Sequence, residues 1–520
     1  MARIGKQLSR SLPASADVES DMTDQPPAGV ARRRRIAALS AAVLLAVGVR
    51  VGGAQDDLPV RQFQTGLTCA ADGRYVEALA DFEAVIALYP SSSVADNALL
   101  EIARYHLEVT QSLDQAAEYA GRVIGDATYA QADAAPEAHV LLARVAMARG
   151  YTAENLDAAL AGLQRGLGLW PDAAAVPQSL FFIGETHRHA ARLDAALDAY
   201  DQVAAAYPES VWAARASLGA ALLRARRGDP VSAMAELQRV RDRWPESAEA
   251  ETALERITVL HRLYIRSPER AFGQDGEPFS TRRSPRIEAL VVDGEGRVFY
   301  ATESGVGALD PQALADAPSG GRPRGLLLDR RGRVTAIVGG SLTARDESPV
   351  RLSVPQPGER PKELRDINAA GVTSDGDWLI MDTDEREIHR FAPTGAYRGM
   401  FVPVRAKRLA VGPDDYIAVV ARDNSLRLFA QGRSVGEIPR RGPNYEIGDP
   451  VDLAFDVIGH LYVADEKGVF VFGLNRELML RFPMSEGMPG APQKITAFAL
   501  DRFGRLVVAD DDAKQIVQYR

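Results

Sequence analysis

The sequence predicts a multidomain chain, an all-α repeat solenoid followed by an all-β six-bladed propeller. Three observations carry this. At 520 residues the chain exceeds the size at which one hydrophobic core keeps growing. Between residues 58 and 265 it is alanine-rich, with apolar residues recurring at three and four and punctuation near every fortieth residue. After Ile287 the pattern shifts to short apolar runs separated by turn residues, as strands require.

The N-terminal element is read first. Arg32–Arg35 stand directly before an apolar run from Ile36 to Val49, with Gly52, Gly53 and Ala54 behind it. A basic flank, an apolar run too short to span hydrocarbon and a small-residue end together read as an export signal. Residues 1–54 are therefore taken as an N-terminal extension and signal peptide ending near Ala54, with Met22 as the expected start of translation. The expected location is the periplasm or cell envelope. The alternative is an uncleaved anchor, which would be the chain's one membrane contact. With this basic run explained and a net charge of −9, no dense basic stripe remains for nucleic acid. Cys69 is single and can form no internal disulfide. Although Gly66-Leu67-Thr68-Cys69 has the look of a lipid-attachment box, it falls inside a helical pattern, so Cys69 is expected to be a small buried residue.

Residues 58–265 repeat one spacing: Ala78-x3-Phe82-x7-Pro90, Ala159-x3-Leu163-x7-Pro171, Ala196-x3-Tyr200-x7-Pro208 and Ala233-x3-Leu237-x7-Pro245. Packed helix pairs need a small side chain where backbones cross and a large one a turn later, and proline then stops the helix. Ser91, Asp172, Ser210 and Ser247 are expected to cap the helices that follow. Gly66 and Gly184 precede Ala78 and Ala196 by twelve residues, where the first helix of a pair needs its own small residue. The unit from Ala116 to Tyr129 lacks the proline, and about five helix pairs are expected. The run from Tyr75 to Ser92 resembles the tetratricopeptide repeat, in the version found in bacterial envelope proteins of the outer-membrane assembly and Tol–Pal coordinator families. That resemblance implies a concave groove holding peptides or partner proteins. His187 and His189, two apart on a helix, point roughly 200° from each other and cannot chelate one ion, so they are read as surface histidines.

Residues 266–286 lose helical periodicity and are read as a linker, of which Arg270 to Ser280 offer an outermost strand to close the last blade. Residues 287–520 carry six turns, at Asp293, Asp329, Ser374, Gly412, Asp456 and Asp501, spaced 36 to 45 residues apart. Each stands between two apolar strands, with glycine or aspartate supplying the positive φ of a tight hairpin. Six small antiparallel sheets protect their edges best around a central channel. The phrases from Gly459 to Asp465, from Gly504 to Asp510 and from Trp378 to Asp382 resemble NHL repeats; blades one and two depart from that pattern, with Thr302-Glu303 and Gly339-Gly340 in place of Ala-Asp.

The loops after the second strands bring Glu303, Asp382, Asp384, Asp423, Asp465 and Asp510, with Arg422 beside them, toward one face. An acidic rim of this kind would attract a cationic peptide, a sugar or a divalent ion. The alternative is that the aspartate caps a turn in each blade, and Lys467, Lys514, Arg386 and Arg422 would blunt the field. Six-bladed relatives include lactonases and lyases that hold a metal over the channel. No such set is evident here, since the β half has only His389 and His460, both inside strand pattern. No nucleophile elbow, phosphate loop or zinc-protease motif occurs, and no catalytic residue, metal or cofactor is expected. The function that follows is a non-enzymatic interaction scaffold of the bacterial cell envelope. The alternatives are a propeller enzyme of the lactonase or lyase kind and a sugar- or peptidoglycan-binding module.

Overall fold

The computed structural model describes residues 57–129, 133–282, 284–329, 331–483 and 490–520. The expected signal peptide, with its end near Ala54 and a start at Met22, lies outside the described residues. No helix among the described residues is long and apolar enough to cross a membrane.

Among the described residues eleven α-helices come first: α1 (Asp57–Ala71), α2 (Tyr75–Leu88), α3 (Ala95–Glu108), α4 (Leu113–Gly125), α5 (Ala135–Ala148), α6 (Ala153–Leu169), α7 (Val176–His189), α8 (Leu193–Ala206), α9 (Val211–Arg226), α10 (Pro230–Arg243) and α11 (Ala248–Tyr264). The chain divides into two compact units, one running to Arg149 and including Arg165–Pro171, the other made of Gly150–Gln164 and Asp172–Arg520.

In both units the repeat spacing sets the packing. Ala78, Phe82, Ala159, Leu163, Ala196, Tyr200, Ala233 and Leu237 are all buried. A Cβ placed on Gly66 would lie 2.6 Å from the Phe82 ring, and one on Gly184 would lie 2.5 Å from the Tyr200 ring. The large residue of one helix therefore fills the space that the missing side chain of its partner leaves. Cys69 is buried, 3% exposed, in the core of the first unit beside Phe63, Phe82 and Leu99. Capping differs from the sequence expectation. Ser210 and Ser247 accept from the amides of Trp212 and Ala250, but α3 and α7 begin four residues after Ser91 and Asp172, at Ala95 and Val176, with no side-chain cap. An intervening turn starts each of these helices, helped in α7 by Pro177 in the first turn.

Among the described residues, six antiparallel sheets of three or four strands follow in the second unit, spanning residues 287–308, 325–351, 367–402, 406–438, 452–482 and 495–519. Their first strands neighbour one another in a closed cycle, so they are innermost and line the axis of a six-bladed propeller. Phe279–Ser280, from ahead of blade one, pairs with Gln515–Ile516 of blade six. The chain is thus a helical-repeat solenoid followed by a six-bladed propeller. The hairpin turns between first and second strands use the residues the pattern indicated. Asp293 accepts from the Glu295 and Arg297 amides, and Gly296 has φ 81°. In blade four, where no glycine is available at the tip, Asp414 and Asp415 take φ 58° and 56°.

Three of these turns meet three alternate helices. Asp414 of blade four takes ion pairs from Arg188 at the end of α7 and Arg226 at the end of α9. Ile458 and Val457 of blade five pack against the core formed by α9, α10 and α11, and His460 joins Asp456 (2.8 Å) to the Tyr264 hydroxyl (3.1 Å). In blade six, Phe503 gives its carbonyl to Arg262 of α11 (2.7 Å), and Arg502 pairs with Glu255 (3.2 Å). His189 is half-buried: its ring stacks on Tyr151 at 3.6 Å, which corrects its reading as a surface histidine.

Candidate functional site

The end of each second strand lies at the opposite edge of its sheet from the turns that the helices hold. Three of the aspartates placed there are almost fully buried, Asp382 at 2%, Asp465 at 5% and Asp510 at 2% exposure. Asp382 accepts from the amides of Arg365 and Asp366 (both 2.8 Å) and of Asp384 (3.0 Å). Asp465 accepts from those of Gly448 (2.8 Å), Lys467 and Gly468 (both 2.9 Å). Asp510 accepts from those of Gln493 (2.7 Å), Lys494, Ala513 (both 3.1 Å) and Asp512 (3.2 Å). Each carboxylate closes its own hairpin and also fastens the segment arriving from the previous blade, so its lone pairs are occupied by peptide donors.

The other rim residues are not register equivalents. At the matching position blade one has Thr302 and blade four Ala421. Glu303 is on the surface, paired with Arg322 at 2.8 Å. Asp423 lies two residues beyond Ala421; bonds from the Ser425 hydroxyl and amide, with Arg427 alongside, hold its carboxyl below the usual range. Asp384 is exposed, and Arg422 donates to the Thr383 carbonyl (3.1 Å). These residues share a face without converging on one centre. Among the described residues no group of three or more His, Cys, Asp and Glu side chains is placed to hold a metal ion.

A different set stands closer to the axis. The first strands of blades one, three, four and six each break register after their first residue, at Glu288, Asn368, Lys407 and Thr496. Bulges re-aim side chains, and here each bulged residue is polar. Blade five begins its first strand with Asp452, and Arg408 follows Lys407 in blade four. Asn368 donates to the Ala406 carbonyl (3.0 Å), but its Oδ1 is buried with no partner, as is the Thr496 hydroxyl. Burial pushes the Asp452 carboxyl up, with the Arg408 charge opposing. Arg408 itself donates to the Val451 carbonyl (2.7 Å). Buried polar atoms without partners are uncommon in folded proteins, and two on inner strands of opposite blades, three and six, mark the channel mouth as a place for a polar ligand. Sequence reading passed over this set because it sought histidines. The signal was one polar residue four to six positions before each turn in five blades, in runs such as Ile367-Asn368-Ala369 and Ile495-Thr496-Ala497. Trp378, the tryptophan of the β half, is 6% exposed in the core and offers no platform for a sugar ring.

No family model matches the chain, and no curated protein matches it. Solved structures resemble each half separately. Virginiamycin B lyase from Staphylococcus aureus is 13% identical with a TM-score of 0.34, over 48% of this chain and 85% of that one. A gluconolactonase from Xanthomonas campestris is 15% identical with a TM-score of 0.34, over 47% and 95%. A tetratricopeptide protein from Thermus thermophilus is 18% identical with a TM-score of 0.32, over 38% and 98%. Each likeness concerns fold alone. Identities and scores this low connect neither half to the activities of those proteins.

Proposed function

We propose that this protein is a non-enzymatic interaction scaffold of the bacterial cell envelope, exported by its N-terminal segment. The propeller would grip one protein or peptide at its channel mouth, and the first helical unit would grip another. The observation that carries this reading is the docking of α7, α9 and α11 on the turns of blades four, five and six. It fixes the propeller from one face, while the face opposite presents the polar mouth around Asn368, Asp452 and Thr496. In the first unit, half-buried Tyr75, Tyr105, His106 and Tyr119 form a row of ring contacts at 5.3–5.7 Å, of the amphipathic kind that partner surfaces use. Tethering two weak grips raises the avidity of both.

Crosslinking the full chain in its native envelope tests this. A defined partner should be recovered, and its yield should fall with Asn368→Ala and Thr496→Val. Recovery of only abundant envelope proteins, unchanged by those substitutions, would count against a scaffold. Export is checked separately by replacing Arg32–Arg35, which should retain the protein in the cytoplasm. A second reading, a lactonase- or lyase-like propeller enzyme, is favoured by the half-buried Asp452, whose carboxyl feels the charge of Arg408. It requires metal-dependent turnover of lactone substrates that Asp452→Asn abolishes, and absence of turnover with any added divalent ion would exclude it.

A further inference from the structure

Away from the channel mouth, between the end of α11 and the turn of blade six, lies a pocket of about 360 Å³ lined by Thr258, Arg262, Arg266, Phe503, Arg505 and Arg520. Most of its lining residues are arginines, and their counter-charges are unevenly distributed. Arg505 is held by Asp501 at 2.5 Å, and Arg520 lies 3.5 Å from Asp275. No carboxylate among the described residues pairs with Arg262 or Arg266. Arg262 is 4% exposed. One of its nitrogens, Nη1, donates to the Phe503 carbonyl, but Nε is buried with no partner, and the guanidinium lies 5.5 Å from the Phe272 ring. Burial pulls this guanidinium below its ordinary value; Tyr462 and the more distant Asp501 oppose the shift, and Arg266 and Arg505 add repulsion. A buried cation without an anion is costly to keep. Several arginines converging on one cavity are the usual means of holding a planar or tetrahedral oxyanion, because their forked donors match its oxygens.

We propose that this pocket binds the phosphoryl group of a small molecule, with Arg262 and Arg266 gripping the oxygens and Phe503 forming the wall against its apolar body. A dianion suits the two unpaired guanidiniums better than a single carboxylate does, and the cavity has the volume of a small-ligand site. The ligand would bridge α11 and blade six. Binding would therefore also tighten the joint between helices and propeller, a role independent of the scaffold reading.

The test titrates the full chain with phenyl phosphate, inorganic phosphate and benzoate at constant ionic strength, reading calorimetric affinity and thermal midpoint. Phenyl phosphate should raise the midpoint in a saturable way, and inorganic phosphate should do so more weakly. Arg266 is exposed, so Arg266→Ala should keep the fold and weaken phenyl phosphate about tenfold, roughly the loss of one charge-assisted contact. Arg262→Met should fold, as followed by circular dichroism, and lose the response to phosphate. If Arg262→Met does not fold, Arg266→Ala decides the matter alone. A midpoint shift no larger than that given by chloride, or unchanged affinity in Arg266→Ala, would overturn the site. Benzoate binding as tightly as phenyl phosphate would overturn the phosphoryl assignment.

Discussion

At the scale of single residues, repetition in a sequence marks a position without revealing what it bonds to. Asp382, Asp465 and Asp510 were legible as recurring acids because they follow an apolar strand. Their partners were not, since the amides of Arg365, Gly448 and Gln493 lie 17 residues upstream and arrive from another blade. Asp510→Ala would leave up to four peptide donors unsatisfied in a buried setting. It is expected to destabilise the protein by about 2–4 kcal/mol, measured by urea unfolding. His189 gives a pH dependence. Burial, with Arg188 adding repulsion, lowers its pKa to about 4, below the ordinary value of an unfolded histidine. As pH falls from about 6.5 toward 4 the unfolded chain takes the proton first, so stability declines across that window. His106, His139 and His187 are lowered by burial too and contribute to the same slope. His189→Phe keeps the stack on Tyr151 and removes the titration. The fall in thermal midpoint between pH 6.5 and 4 should become shallower in that variant, and an unchanged slope would refute the assignment.

At the scale of elements, the helices were readable because a small residue, a large residue and a proline recur at fixed spacing, and Gly184 beneath Tyr200 gives the physical reason. Helix starts were less readable, because Ser91 and Asp172 each precede an extra turn. How α7 and α9 attach to blade four rests on Asp414, whose carboxyl is held down at about 2 by Arg188 and Arg226 against the opposing effect of burial. Arg256 stands nearby with Nε and Nη1 unpartnered, its guanidinium lowered to about 10 by burial and by the two neighbouring arginines. Asp414→Ala would leave this arginine group without its shared acid. A loss of about 2–3 kcal/mol is expected, somewhat under the usual figure for a fully buried pair because these groups are partly exposed. Hydrogen exchange should rise at the ends of α7 and α9 and in the turn around Gly412, while blades one and two keep their protection.

At the scale of the molecule, the helices from α7 onward and the propeller fall in one compact unit. A fragment beginning at Gly150 is expected to unfold in a single calorimetric transition. One beginning at Ile287 would lose the strand Phe279–Ser280 and bare Val457, Ile458 and Leu474, which pack on α9–α11, and should aggregate. A soluble 287–520 fragment with an undiminished midpoint would show that the docking contributes nothing. The sequence by itself determined both architectures, because helix spacing and hairpin turns are local codes repeated often enough to be read. Only the tertiary structure decided that α7, α9 and α11 grasp the turns of blades four to six, that polar bulges recur at the channel mouth and that Arg262 is buried without a paired carboxylate. The residues in those contacts stand far apart in the chain, 188 positions for Arg226 and Asp414 and 241 for Arg262 and Phe503, and no local periodicity links them.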